Sequence, residues 1–275
     1  MSYSSIDEPT NWVPLHLRDR LSFIHILGIA ASNLSPYILW MIMPTLFEPI
    51  SSKLHISTIW KTIILFLNSL IGFIACPLVG VYSDACMFKY GRRRIYMFIS
   101  LILILIGLFT MCYCEEIGLL LNPSNPATLQ QFIFGFSFEF VSIAGSFLQT
   151  PARSLASDVC PIHQQNLMAN ICSFFSGVGG IVTNIIGGLK LYEYTSLTQE
   201  QFMLIVSAVM CTIPIIISIV VTPEEPLHVK PPCVNPFKEI FSAVKDMPKP
   251  ISRTMPSLLL FQVAYFQFAY QFNHF

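Results

Sequence analysis

A glycine, an acidic residue and a basic run form the pattern with the clearest chemical consequence in this sequence. Gly80 and Asp84 are four residues apart, so they share one face of a helix. Gly91 follows seven residues after Asp84 and immediately precedes Arg92 and Arg93. A carboxylate at this position can accept hydrogen bonds from arginines or from a helix N-terminus. The pattern predicts an ion cluster at the end of a helix, with a basic loop that only sets membrane orientation as the alternative.

Arg153 lies in a second polar run, which extends from Gln149 to Asp158 and contains Pro151. Because proline has no backbone N–H, Pro151 should interrupt the helical hydrogen-bond ladder and leave carbonyl groups free close to Arg153. A guanidinium facing a central cavity could donate paired hydrogen bonds to hydroxyl groups or to a carboxylate. Anchoring at the end of a span, or an ion pair with Asp158, is the alternative for Arg153.

Glu139 is the only acidic residue near the middle of a predicted span. A carboxylate inside a membrane is costly unless it is paired, protonated or in contact with water. Such a group is suited to loading and releasing a proton during a transport cycle. The sequence therefore predicts a proton-coupling role for Glu139, with a structural hydrogen bond to a neighbouring helix as the alternative.

Polar side chains on the other predicted spans are candidate ligands for a polar substrate. We predict substrate contacts for Asn33, Gln149 and Asn170, in addition to Arg153, and Ser35, Asn68 and Asn184 are further candidates. Amide side chains in membrane helices also form hydrogen bonds between helices. That structural role is the alternative for each of these amides.

The composition is typical of a membrane protein. Of the 275 residues, 54% are hydrophobic and 11% are charged, whereas about 25% of the residues in an average soluble domain are charged. The formal net charge is zero, so nucleic acid is not an expected partner. The sequence contains no zinc-protease motif, nucleophile elbow, phosphate-binding loop or paired metal spacing of cysteines, so we predict no enzyme activity, no cofactor and no metal site.

Six segments are long and apolar enough to cross a bilayer as helices, which takes about 20 residues each. They are residues 21–47, 56–81, 95–114, 129–150, 167–189 and 201–221. We predict an all-α membrane protein with a six-span bundle at 21–221. Residues 256–275 have the character of the start of a seventh span, inside which the chain is expected to be cut.

The basic residues outside the spans predict the orientation of the bundle, because lysine and arginine favour the cytoplasmic side. They concentrate near the N-terminus, in the loops after the second and fourth spans, and in residues 222–255. We therefore predict a cytoplasmic tail at 1–20 and a cytoplasmic, basic, proline-rich linker at 222–255.

The two polar runs resemble the signatures of one family. The spacing from Gly80 through Asp84 to Gly91, and the run from Gln149 to Asp158, resemble the sucrose–proton symporters of the major facilitator superfamily, also grouped as the glycoside-pentoside-hexuronide type. The resemblance extends over about residues 60–189. It implies a major facilitator fold, of which this sequence would supply the N-terminal six-helix half and the beginning of the seventh span.

The resemblance also implies roles for individual residues. The gating motif, which locks the two halves rather than binding substrate, would comprise Gly80, Asp84, Lys89, Gly91, Arg92, Arg93 and Asp158. Arg153 matches an arginine linked to substrate. Ala85 stands where the family usually has an arginine, so Lys89 is a candidate to pair with Asp84 instead.

Two further positions depart from the family pattern. The proton-linked aspartate of the family falls on Ser142, which cannot titrate, and Glu139 lies about one turn earlier on nearly the same helix face. Thr58 stands where the plant symporters carry a histidine linked to the sugar. Coupling through a shifted carboxylate and uncoupled facilitation therefore both stay open, and so does the identity of the sugar.

Proton-coupled transport of sucrose or a related sugar by alternating access is the main hypothesis. The expected partners are a small sugar, protons, the lipid bilayer, and either a missing C-terminal half or a second chain. The protein is expected to be a multi-pass protein of the plasma membrane or of an internal membrane, with its N-terminus in the cytoplasm. A truncated membrane protein that does not transport, and acts in assembly or regulation, is the alternative.

Overall fold

The structure is a computed structural model that describes residues 14–189, 191–224, 235–257 and 260–261. The described residues form helices and connecting loops, and no strand occurs among them. The α-helices whose two ends are described are α1 (Phe23–Ala30), α2 (Leu34–Lys53), α3 (Thr58–Asp84), α4 (Arg94–Cys112), α5 (Cys114–Leu121), α6 (Pro126–Val159), α7 (Gln165–Gly188), α8 (Gln199–Val221) and α9 (Pro236–Lys245). Residues 249–257 and 260–261 are helical as well.

Six helical segments are long and apolar enough to cross a membrane, which confirms the predicted all-α class with six spans. Spans 1 to 6 are Phe23–Lys53, Thr58–Asp84, Arg94–Cys112, Pro126–Val159, Ile162–Gly188 and Gln199–Val221. Span 1 consists of α1, a 3₁₀ turn at Ala31–Asn33, and α2. The turn comes just before Pro36, which lies in the first turn of α2, where proline is tolerated. Pro44 and Pro49 lie farther along the same helix, and each removes one hydrogen bond of the helical ladder.

Helix α6 packs against α2, α3 and α4, so it contacts each of the first three spans. Its buried Phe134 and Phe138 contact Phe47 of α2, with ring centroids 5.8 and 4.8 Å apart. Spans 1 and 6 are joined by polar contacts, since Ser218 Oγ donates a 2.9 Å hydrogen bond to the carbonyl of Ile29. Short side chains of this kind let membrane helices approach closely.

The fourth span is longer than the predicted 129–150. Helix α6 continues through Pro151 to Val159, so Arg153 lies inside a helix and not in a loop. Proline removes one ladder hydrogen bond, but Pro151 and Ala152 are buried against neighbouring helices, and this packing holds the segment helical. The additional turns bring Arg153 and Asp158 onto the same continuous helix.

Two short helices were not predicted. Helix α5 lies between spans 3 and 4, and α9 lies within the predicted linker 222–255 and contacts α3. The described helices of the bundle begin at Phe23 and end at Val221. The assignments of the tail 1–20, of the linker 222–255 and of the seventh span 256–275 stay predictions, and part of each segment lies outside the described residues.

Candidate functional site

A cavity of about 740 Å³ lies between α2, the C-terminal part of α6, and α7. Arg153 faces it, and its Nη2 donates a 2.8 Å hydrogen bond to the hydroxyl of Tyr37. Helix α7 contributes small residues and the amide of Asn184 to the opposite wall. The other polar lining residues are Ser157, Gln165, Cys172, Ser173 and Ser176. This cavity combines one fixed guanidinium with several neutral hydrogen-bonding groups.

Of the other candidate substrate ligands, Asn184 lines this cavity, whereas the remaining candidates are not among its lining residues. Asn33 is buried, and its amide donates hydrogen bonds to the carbonyl of Ala30 at 3.2 Å and to Cys172 Sγ at 3.4 Å. Gln149 is half-buried and Asn170 is exposed, and neither forms a hydrogen bond with another residue that the structure describes. Their contacts with substrate stay predictions.

Glu139 lies in a different place, in a groove of about 410 Å³ between α3 and the N-terminal part of α6. Both carboxylate oxygens are buried and have no hydrogen-bond partner within the described parts of the chain. The groove has no lining residue in common with the cavity that contains Arg153. The predicted proton-coupling residue and the predicted sugar-binding arginine are therefore not brought together in one cavity.

Ser142, the position that matches the family aspartate, forms a hydrogen bond between spans 2 and 4. The amide of Asn68 on α3 donates a short hydrogen bond to Ser142 Oγ on α6. The Ser142 hydroxyl in turn donates to the carbonyl of Phe138 at 3.0 Å. A non-titrating hydrogen bond between α3 and α6 thus occupies this position.

The charged residues of the two polar runs meet in a cluster beside the end of α3 and the start of α4. The Arg93 side chain, only 7% exposed, contacts Asp84 Oδ1 and Asp158 Oδ2 at 2.8 Å each. Arg92 contacts the same Asp158 oxygen at 2.6 Å. Asp158 therefore pairs with these two arginines and not with Arg153. Lys89 is exposed and makes no ion pair with any residue in the described ranges.

Glu224 completes this cluster, and the sequence analysis missed it. Its Oε2 accepts hydrogen bonds from the backbone N–H groups of Arg93 at 2.8 Å and Arg94 at 3.4 Å, at the N-terminus of α4. A carboxylate is stabilised there by the helix dipole. Gly91 has a φ of 114°, and a Cβ at this position would lie 2.7 Å from Glu224 Oε2. The available signal was an acidic residue directly after span 6, which the linker assignment obscured.

We use the name ion cluster for Asp84, Arg92, Arg93, Asp158 and Glu224. It connects the ends of spans 2, 3, 4 and 6 through ion pairs and backbone hydrogen bonds. Its role as a gate stays a prediction. No group of three or more metal-binding side chains is arranged to hold an ion in the portion of the chain that the structure describes.

Comparison with known proteins identifies the family. Residues 28–275 match the family model described as Major Facilitator Superfamily. The chain belongs to the Major Facilitator Superfamily. It is therefore an integral, multi-pass membrane protein, and its predicted family and fold class are confirmed.

Individual members of the Major Facilitator Superfamily give a finer comparison. Sucrose transport protein SUC3 of Arabidopsis thaliana is 27% identical over 151 residues, which are 52% of this chain and 25% of that protein. Proton-associated sugar transporter A of Rattus norvegicus is 25% identical over 206 residues, which are 72% of this chain and 26% of that protein. The chain thus spans about a quarter of the length of these curated relatives.

A solved structure shows the same fold. The xylose transporter XylE of E. coli, in an inward-open conformation, aligns with a TM-score of 0.56 and 13% sequence identity. The alignment covers 88% of this chain and 56% of XylE. The match to the Major Facilitator Superfamily bears out the prediction that the chain is not an enzyme.

Proposed function

We propose that this chain forms part of a sugar transporter that works by alternating access, with the Arg153 cavity as its share of the sugar site. One observation carries this proposal: a guanidinium, fixed by Tyr37, faces a cavity of about 740 Å³ that is lined with small and hydroxyl-bearing residues. The names of the relatives, a sucrose transport protein and a proton-associated sugar transporter, support a sugar as the substrate.

The chemistry of Arg153 suits a neutral, hydroxyl-rich substrate. A guanidinium carries five N–H donors in a planar fork, and the Tyr37 hydroxyl accepts from one nitrogen. The remaining donors can bind pairs of sugar hydroxyls, while serine hydroxyls and the amide of Asn184 add donors and acceptors from α7. Sucrose or a related glycoside fits this set of groups.

Proton coupling is a second part of the proposal. Glu139 is a carboxyl group inside span 4 whose two oxygens are buried without a hydrogen-bond partner among the described residues, as expected of a group that exchanges a proton. Since Glu139 and Arg153 lie on the same helix, coupling would act through movement of α6 and not through direct contact with the sugar. Uncoupled facilitation is the alternative if Glu139 does not titrate during transport.

The ion cluster is proposed to lock the cytoplasmic side. It connects four spans through ion pairs and backbone hydrogen bonds, and such a connection must be broken or rearranged when the bundle moves against a second half. The basic residues near it favour a cytoplasmic location and hence a cytoplasmic N-terminus, in the plasma membrane or an internal membrane. In this proposal the second half comes from additional sequence or from a second chain.

An uptake assay tests the proposed function. The protein is reconstituted into vesicles together with its second half, whether that half comes from additional sequence or from a second chain, and the uptake of radiolabelled sucrose is measured with and without an inward proton gradient. We expect uptake that the gradient accelerates. An absence of uptake across a panel of sugars would contradict sugar transport and favour a non-transporting role, whereas uptake that is insensitive to the gradient would contradict coupling only.

A substitution locates the coupling group. Glu139→Gln preserves the size of the side chain and removes its charge, so it should abolish the effect of the gradient while sugar exchange continues. Glu116→Gln is the matched control, because Glu116 is an exposed residue on the short helix α5. Gradient-driven uptake by Glu139→Gln at the wild-type rate would move the proton site elsewhere.

A further inference from the structure

The groove that contains Glu139 has aromatic walls. Trp60 on α3 lies on one side, and Phe132 and Phe136 on α6 lie on the other. These three side chains are 61%, 70% and 62% exposed, so the groove opens on the surface of the described bundle. Its volume of about 410 Å³ is sufficient for a small organic molecule.

The electrostatics of the groove are unbalanced. Glu139 is its one acidic lining residue, and no lysine, arginine or histidine is present among the described residues that line it. The amide of Gln131, which also lines the groove, donates to the carbonyl of Leu54 at 3.0 Å. A carboxylate buried without a partner is unfavourable, and a positive charge placed beside it offsets that cost.

Aromatic rings add to the attraction for a cation. The face of an indole or phenyl ring carries partial negative charge, and it attracts an ammonium group most strongly where water is excluded. The apolar residues Ile63, Ile64 and Leu67 on α3 complete the walls and favour hydrocarbon over a hydrated inorganic ion. The apolar walls and the Glu139 carboxylate therefore both favour a ligand that combines a hydrocarbon group with a positive charge.

We propose that the Glu139 groove binds a lipophilic organic cation, in which an ammonium group lies beside the Glu139 side chain and an aryl or alkyl group lies against Trp60, Phe132 and Phe136. The groove has no lining residue in common with the Arg153 cavity, so this inference does not rest on sugar transport. A proton and an organic cation are alternative partners for the same carboxylate.

Two probes of equal shape separate charge from apolar affinity. Phenyltrimethylammonium and tert-butylbenzene differ only in the replacement of a positively charged nitrogen by carbon. The chain has three tryptophans, so the double substitution Trp12→Phe and Trp40→Phe leaves Trp60 as the sole tryptophan. The fluorescence of Trp60 is then recorded while each probe is titrated into the full chain in lipid nanodiscs.

We expect phenyltrimethylammonium to give a saturable change in emission, and tert-butylbenzene to bind at least about tenfold more weakly, since cation–π and charge contacts contribute of order 1–2 kcal/mol. Glu139→Gln should weaken the binding of the cation about tenfold and leave the neutral probe unaffected. Glu116→Gln, which changes a carboxyl group outside the groove, should bind the cation as the unmodified chain does.

Equal binding of the two probes to the unmodified chain would overturn the proposal, and this measurement requires no change at Glu139. A lack of saturable binding would overturn it too. Cation binding by Glu139→Gln with unchanged affinity would show that the carboxylate is not the recognition group, which also contradicts the proposal. Sugar uptake is measured separately, so a failure here leaves the proposed function standing.

Discussion

Carboxylates occur in two opposite settings in this bundle. In the ion cluster, Asp158 contacts two arginines, and Glu224 accepts hydrogen bonds from backbone N–H groups at the start of α4. In the groove between α3 and α6, the oxygens of Glu139 are buried and have no hydrogen-bond partner in the described parts of the chain. The carboxylates of the ion cluster are thus paired with positive charges or N–H groups, whereas the Glu139 carboxylate has no such partner among the described residues.

The difference separates structural charges from functional ones. When a carboxylate has several arginine and N–H partners, its removal destabilises the protein. Such a carboxylate also has few lone pairs left to bind another group. An unpartnered carboxylate inside a span is unfavourable for the fold, but it is available to a proton or a cation. Substitutions that remove one charge at a time should therefore have opposite consequences in the two regions.

Removal of Arg93 should have the largest effect on stability. Arg93→Ala leaves Asp84 and Asp158 without their shared partner. We expect a loss of about 2–3 kcal/mol, less than for a fully buried pair because both aspartates are partly exposed to solvent. The measurement is thermal unfolding of the purified protein in detergent. Lys89→Ala is the control in the same loop, and equal losses for the two variants would refute a special role for the ion cluster.

Gly91→Ala should have the next largest effect. At a φ of 114° any L side chain is strained, and the added methyl group would lie against the Glu224 carboxylate. We expect a destabilisation of about 1–2 kcal/mol. Gly188→Ala is the matched control, because a Cβ at Gly188 meets no described atom within 4 Å. An unchanged melting temperature for Gly91→Ala would mean that Glu224 can leave the cluster at little cost.

Arg153→Lys tests the sugar site in the Arg153 cavity. The Arg153 side chain is intermediate between the paired charges of the ion cluster and the unpartnered Glu139, because its partner is the neutral hydroxyl of Tyr37. Lysine keeps the charge but loses the planar fork, so the affinity for sugar should fall about tenfold while the stability of the protein hardly changes. Competition by unlabelled sugar in the uptake assay gives the affinity. Arg253→Lys, at an exposed position, is the control. Full affinity in Arg153→Lys would argue against paired hydrogen bonds.

Glu139→Gln should have the smallest effect on stability, and in the opposite direction. Removal of an uncompensated charge should leave the protein unchanged or up to about 1 kcal/mol more stable. Asp158→Asn is the equivalent change in the ion cluster and should instead destabilise the protein. Thermal unfolding measures both variants. If Glu139→Gln destabilises as strongly as Asp158→Asn, the carboxylate has a partner outside the described residues.

The spans and the fold class could be predicted because long apolar segments have one stable arrangement in a bilayer. The end of span 4 could not be predicted, since proline removes a hydrogen bond from the helical ladder and favours a helix end, whereas α6 continues through the buried Pro151 and Ala152 to Val159. Helix α5 is too short for its local pattern to be distinctive.

The site was predicted in part. The spacing of Asp84, Arg92 and Arg93 and the run to Asp158 predicted the charges that meet in the ion cluster. Glu224 was missed because its partners are backbone N–H groups at the start of α4, 130 residues away in the chain. Backbone donors carry no sequence signature, and so only the packing of span 6 beside span 3 could reveal the contact.

The sequence by itself determined the membrane class, the six spans and the family, since apolar length and local motifs are properties of short segments. The tertiary structure alone decided which polar groups meet. It put Arg153 beside Tyr37 in one cavity and Glu139 among aromatic rings in another, although both residues lie on α6. The reason is physical: neighbouring helices cover different parts of one long helix, so the partner of each side chain depends on packing at its own depth.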